Sequence, residues 1–427
     1  MALTMTLILL AIFIFINVPI AFALIASSFV YFMLSDNFTN IILIQRIVGG
    51  VESIPLLAIV FFITAGILMN YTGITRRMLT FADVITGHLP GGMAKVNVVL
   101  STLMGGLSGS NIADAAMQSK IIVPEMEKKG YSKGFATSLT AASSLITPII
   151  PPGIALIMYG YVGDVSIGDL FLAGIIPGIV LCILMLVLVD YISKKRGYEV
   201  QEGIKRPETK KVIGASKDAA LAILLPVIII GGIRFGVFSP TEAGAVAVFY
   251  ALFLGLIVFR QMKVSELLKP LIETVYTAAS ILIIIAGASA FAWVLTVEQV
   301  PQRLTEVVTG FVGNSYMFLI IMMIFLLIVG MFIEGNVALI ILTPLFMPML
   351  EQYGIDPVHF GIFFIICLSI GTITPPLGTV MFSTCSITGA KIEEFMKEVL
   401  PFYAVLIVGA LIIAFFPIIT LLLPSWL

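Results

Sequence analysis

The sequence predicts an all-α, polytopic membrane protein built as two inverted repeats, each holding a re-entrant hairpin and a broken helix. Three observations predict it. Of the 427 residues, 60% are hydrophobic and only 11% charged, with a mean hydropathy of +1.15, whereas soluble domains carry about 25% charged residues. Two strongly apolar stretches, "SLITPIIPPGIAL" and "LSIGTITPPLGTV", are each interrupted by a proline pair, and proline inside a helix costs ~3 kcal/mol or more. The pairs lie 224 positions apart (375 − 151). That same offset matches Gly106 with Gly330, Pro124 with Pro348, Glu127 with Glu351, Gly130 with Gly354, Phe171 with Phe395 and Pro177 with Pro401. One register held over that much chain marks an internal repeat.

In chain order, the apolar run 2–34 exceeds the ~20 residues one span needs, and Asn17 and Pro19 are expected to kink it. No basic region precedes it, so no cleavable signal is expected. Residues 1–92 take the first spans and a surface helix at 75–87. Residues 93–192 hold the first repeat: a hairpin, 93–129, turning at "GGLSGSNIAD", and a broken helix, 132–159. The polar loop 193–217 follows. Residues 218–312 supply the second spans, with amphipathic segments at 264–273 and 297–311 that read as surface arms or as ordinary connections between spans. Residues 313–427 hold the second repeat, with a hairpin at 314–353 around Gly335 and Asn336 and a broken helix at 358–385.

Orientation follows from the basic residues. The 193–217 loop holds eight of the 23: Lys194, Lys195, Arg196, Lys205, Arg206, Lys210, Lys211 and Lys217. It is placed in the cytoplasm, with Arg76, Arg77, Lys95 and the 260–269 stretch. Between Lys269 and Lys391 the only basic residue is Arg303. The equivalent connections "EMEKKGYSKG" and "MLEQYGIDPV" carry three lysines and none, so they face opposite sides and the repeats are inverted. Such repeats with interrupted helices mark secondary transporters, whose sites lie near the bilayer midplane at the interruptions.

Other classes find little support. A net charge of −1 without a basic tail argues against nucleic acid as a partner. Two histidines, His88 and His359, sit in no metal pattern, and neither a phosphate-binding loop nor a nucleophile elbow is present. Cys182, Cys367 and Cys385 lie in apolar runs as small core residues.

Breaking a helix frees carbonyls at one half and N–H groups at the other, suiting a hard cation such as Na+ and an anionic substrate group respectively. Ser108, Ser110, Asn111 and Asp114 cluster at the first tip, with Ser143, Ser144 and Thr147 before the first break. Glu334, Gly335 and Asn336 mark the second tip, with Thr372, Thr374 and Thr379 around the second break. Any one of these hydroxyls alone is as well explained by bonding to its own backbone. Asp114 either binds the ion, orients the tip or pairs with Lys120.

The stretches "GGLSGSNIAD", "TPIIPPG", "FSPTEAGAVAV" (238–248) and "ITPPLGTVMF" together resemble the large membrane (M) subunit of tripartite ATP-independent periplasmic (TRAP) transporters, and the resemblance covers essentially the whole chain. It implies an elevator-type fold of the ion-transporter superfamily, in which 1–92 and 218–312 form a scaffold and the two repeats a transport domain. It implies sodium-driven import of an organic acid across the bacterial inner membrane. It also implies a small four-span membrane subunit as a separate polypeptide, a periplasmic solute-binding protein, and surrounding lipid. By position, sodium falls to Ser108, Ser110, Asn111, Asp114, Ser144 and Thr147, and to Gly335, Asn336, Thr372 and Thr374. Substrate falls to Ser110, Asn111, Pro152, Gly153, Asn336, Pro376, Gly378 and Thr379. The hairpin asparagines miss the common register by one residue. Sialic acid is the favoured substrate and a C4-dicarboxylate the next. A self-sufficient sodium-coupled carboxylate carrier without a receptor is the alternative.

Overall fold

A computed structural model describes residues 2–16, 18–35, 38–199 and 207–426; Asn17, Lys205 and Arg206 lie outside them. Among the described residues there is no strand. Within those residues seven helices are long and apolar enough to cross a membrane, or eight if one bent pair is a single span.

The described part of the N-terminal run folds back instead of merely kinking. Helices Ala2–Phe15 and Ile20–Leu34 pack on each other, and Leu3 meets the cluster of Tyr31 and Phe32 at the far end of the second. Pro19 sits just ahead of the second helix with φ −55°, where its missing N–H is harmless. The bent pair is Leu56–Tyr71 and Ile74–Thr86, at 69°. Gly73 makes that corner at φ +75°, a left-handed conformation that costs glycine no steric penalty. The second member is the surface helix expected at 75–87.

The segment 264–273 is not a separate arm. A short 3-10 turn, Val264–Glu266, runs directly into the 30-residue helix Leu268–Val297. Pro270 does not break it, because the N–H groups of a first helical turn have no intrahelical partner to lose. The 297–311 expectation becomes the helix Val300–Phe311, entered through Gln299 at φ +55°.

Helix starts follow the sequence closely. Ser110, Ser132, Ser166, Asn314, Glu334 and Asp356 each accept a backbone N–H from the turn they open. In "FSPTEAGAVAV", Ser239 and Glu242 form a reciprocal capping box with Pro240 at the first helical position.

Leu56–Tyr71 packs against Pro240–Phe253 and Leu268–Val297, and Ile20–Leu34 lies on the last of these. The repeats pack reciprocally. The second half of the first broken helix, Ile154–Gly163, rests on the second hairpin's Gly335–Tyr353, while its counterpart, Thr379–Thr388, rests on the first hairpin's Asn111–Lys128. Likewise Lys133–Ser143 packs on Ile392–Phe415, and Pro357–Gly371 on Ile167–Arg196. Each hairpin closes at its base, through Asn97 and Met126 (3.9 Å) and through Phe318 stacked on Tyr353 (4.6 Å). The second hairpin's arms, 18 and 19 residues, are each long and apolar enough to cross a membrane.

Candidate functional site

Each hairpin tip is pressed onto the break of its own repeat. Gly109, at φ +60°, approaches so closely that a Cβ there would lie 2.9 Å from the Ile154 nitrogen and the Pro152 oxygen. Gly330 is held as tightly: its Cβ would lie 2.6 Å from the Leu368 oxygen and 3.0 Å from Gly371 Cα. At the second break the Leu377 N–H donates to the Met331 oxygen at 3.2 Å. Both proline pairs carry cis peptide bonds.

The two tips and breaks converge on a cleft of about 20 Å3, lined by Asn111, Glu334, Gly335, Asn336, Ser369 and Thr372, with Pro148 and Ala155 from the first break. Asn111 Nδ2 donates across the repeats to Thr372 Oγ1 at 3.4 Å, and that hydroxyl donates to the Ser369 oxygen at 2.6 Å. Glu334 caps the second tip, its carboxylate accepting from the Val337 N–H (3.2 Å) and from Asn336 Nδ2 (2.9 Å). A volume of this order admits one water or one ion and no organic acid.

Of the residues named from sequence, Asn111, Glu334, Gly335, Asn336 and Thr372 meet in this cleft. Ser110 caps its own helix. The hydroxyls of Ser108, Ser144 and Thr374 donate to backbone oxygens of Met104 (3.5 Å), Ala141 (2.8 Å) and Ile370 (2.9 Å). Pro152 and Gly153 underlie Gly109, whereas Pro376 is exposed. Gly378 precedes the half-helix Thr379–Thr388, and Thr379 Oγ1 is buried without a partner at that N-terminus. Neither second half-helix has a side-chain cap, which leaves N–H groups for an anionic oxygen. At the second break Thr372 takes part of that role itself, its oxygen accepting from Val380 (3.0 Å) and Met381 (3.4 Å).

Sequence reasoning missed Ser369, Pro148 and Ala155. Ser369 was detectable, because it precedes Thr372 by three residues and so shares its helical face. The asparagine mismatch has a simple cause. Helices Asn111–Lys128 and Gly335–Tyr353 start in one register, so Asn111 is the first residue of its helix and Asn336 the second, about 100° further round. Asn111 therefore reaches the other repeat, while Asn336 turns to Glu334.

Asp114 leads away from the cleft. Its Oδ2 accepts from Thr147 Oγ1 (2.9 Å) and Gln118 Nε2 (2.8 Å). Gln118 also donates to Ser101 Oγ (2.7 Å), and the chain continues through Ser143 and Asn97 to Thr140. All seven side chains are essentially inaccessible. Lys120 is exposed and makes no ion pair with Asp114, so that alternative falls. In the second repeat the same offset puts Ala338 opposite Asp114, Leu342 opposite Gln118, Phe325 opposite Ser101 and Phe364 opposite Thr140. There Phe346, Phe360 and Phe364 pack edge to face or tilted at 5.6–5.8 Å.

Among the described residues no three His, Cys, Asp or Glu side chains gather around a metal-sized space. The oxygens offered are hydroxyls, amides and carbonyls together with the Glu334 carboxylate, an all-oxygen set suited to a hard cation.

Residues 7–419 match the family model described as the tripartite ATP-independent periplasmic transporter, DctM component. The chain is 39% identical over 411 residues to the sialic acid TRAP transporter large permease protein SiaM of Vibrio cholerae, covering 96% of each. It is 36% identical to the C4-dicarboxylate TRAP transporter large permease protein DctM of Pseudomonas aeruginosa, covering 88% of this chain and 87% of that one. Among solved structures it is similar to the YdaH transporter of Alcanivorax borkumensis, with a TM-score of 0.62 at 14% identity, over 97% of this chain and 98% of the other. That likeness shows a shared fold and, with the helices described above, bears out the all-α polytopic fold class.

Proposed function

The chain belongs to the tripartite ATP-independent periplasmic transporter family as a DctM component, a multi-pass membrane permease subunit and not an enzyme, and from that premise we propose that it imports an organic acid with Na+. Sialic acid is the favoured substrate, in keeping with the SiaM relative, and a C4-dicarboxylate the next, in keeping with DctM. A small four-span membrane subunit and a periplasmic solute-binding protein complete the system. The 193–217 loop faces the cytoplasm.

The observation that carries this reading is the cleft between the two tips, where Asn111 of one repeat reaches Thr372 of the other. Its size suits a desolvated cation, and its oxygens suit Na+. The carboxylate of the substrate is held beside it, against the uncapped half-helix at Thr379 with its unengaged hydroxyl. In this reading the two repeats move together as a transport domain against a scaffold of 1–92 and 218–312. Cation binding fixes the tips on their breaks and so forms the substrate face.

The test is uptake of labelled sialic acid into proteoliposomes holding the permease and its small partner, with and without receptor and with and without an inward Na+ gradient. Uptake that needs both is expected. Uptake that needs Na+ but no receptor would make this a self-sufficient carrier. Indifference to Na+ would remove the coupling proposal.

A further inference from the structure

We propose that the cavity at the elbow of Leu56–Tyr71 and Ile74–Thr86 binds an anionic phospholipid, with the phosphate at Arg76 and an acyl chain along the first hairpin. The proposal takes from the reading above only the orientation that puts this elbow at the cytoplasmic surface. The cavity measures about 450 Å3. One wall is apolar: Leu79 of the surface helix with Leu100, Met117 and Ile121 of the hairpin. The other presents Asn70, Thr75, Arg76 and Gln261.

Two neighbouring arginines are used differently. Arg77 lies over the Phe259 ring at 3.6 Å and donates to the Gly73 oxygen at 3.2 Å. Arg76 is exposed and forms no ion pair among the described residues. Thr75 donates to Asn70 Oδ1 (3.1 Å), which leaves the Asn70 amide nitrogen as a donor. The carboxylate at the margin, Glu273, is engaged by the Tyr71 hydroxyl at 3.1 Å. Arg260 and Lys263 lie within two residues of Gln261 in sequence, so this connection carries positive charge, as a negatively charged leaflet favours.

The apolar wall decides between ligands. A polyhydroxylated acid or a dicarboxylate would leave Leu100, Met117 and Ile121 facing polar groups, whereas an acyl chain covers them. Ile121 is 43% exposed, which opens the cavity sideways toward lipid. The occupant would touch both the surface helix and the hairpin, so bound lipid would bear on any sliding between them.

The experiment measures phosphatidylglycerol retained by permease purified in detergent from mixed phosphatidylethanolamine–phosphatidylglycerol membranes, by mass spectrometry of the intact protein. Arg76→Gln is expected to lower retention roughly fivefold, the scale of one lost basic contact. Leu79→Trp, which fills the cavity, should lower it independently, while Arg303→Gln should leave it unchanged. Gel filtration checks that each variant is folded, and the readout does not require transport activity. Undiminished retention in both Arg76→Gln and Leu79→Trp would overturn the proposal. So would full displacement of the lipid by inorganic phosphate or sialic acid, which would assign the cavity to a soluble anion.

Discussion

Asp114 lies three residues beyond Asn111, yet the two side chains serve different partners. Asn111 faces the other repeat, whereas Asp114 ties the first hairpin to the helix that ends at the first break, through Thr147 and Gln118. A buried carboxylate is tolerated only where donors surround it, and removing one partner leaves the others unmatched. Asp114→Ala is expected to cost about 1–3 kcal/mol, and Thr147→Val a similar amount. Because both break one network, their double variant should cost clearly less than the sum. Denaturation of the detergent-solubilised permease measures this; strictly additive losses would mean that the Asp114–Thr147 bond does not join hairpin to break. Asn111→Ala, by contrast, should leave stability near wild type and weaken the Na+ dependence of uptake. The residue types of the site were legible because a helix break needs polar company. Which of them would meet was not, since one step along a helix turns a side chain by about 100°.

At the level of elements, both broken helices and both hairpins were readable from proline pairs and from Gly-containing polar turns, which act locally. What escaped was decided by contacts between distant segments. The N-terminal run turns back to bury Leu3 against Tyr31 and Phe32, and nothing in its uniform apolarity distinguishes a kink from a fold-back. The base of the first hairpin is another such contact. Glu199 accepts from the Tyr131 hydroxyl and the Met93 N–H, both at 2.7 Å, and pairs with Lys129 at 2.7 Å. This ties the hairpin to the end of Ile167–Arg196. Burial, and then the bond to Glu199, hold the Tyr131 phenol well above its usual range. An unfolded chain would lose that proton near pH ~10 while the folded one keeps it. The stabilisation is therefore complete below that pH and is lost as pH rises beyond it. Thermal melts from pH 8 to 11 should show a steeper alkaline decline for wild type than for Tyr131→Phe, which should itself be less stable at pH 8. Parallel curves would contradict the assignment.

For the whole molecule, reciprocal packing is the feature that links the repeats to motion. Each broken helix leans on the other repeat's hairpin, so neither repeat can shift alone without abandoning buried apolar surface, and the pair is expected to move as one body. In the proposed division, the contacts of 1–92 and 218–312 with the repeats include a looser, polar corner. In the first turn of Ile167–Arg196, Asp169 faces Arg234 of Thr209–Arg234 at 3.7 Å, both partly exposed, and such pairs are worth only about 0–1 kcal/mol. Beside them a cavity of about 580 Å3 separates the two groups of helices, and a Cβ on Gly168 would lie 3.0 Å from Ile233 Cγ2. Elsewhere the same boundary is dry, with Phe62 edge to face on Phe171 at 6.0 Å, so sliding is expected to open first at this polar corner. Cysteines at Gly168 and Ile233 would then be close enough to bridge in this state, and the three native cysteines are buried, away from mild oxidants. Oxidation of Gly168→Cys/Ile233→Cys should abolish Na+-driven uptake, and reduction should restore it, while each single variant transports normally in both conditions. If the bridged protein, shown to be crosslinked by mass, still transports at the wild-type rate, the boundary does not slide and the elevator proposal fails there.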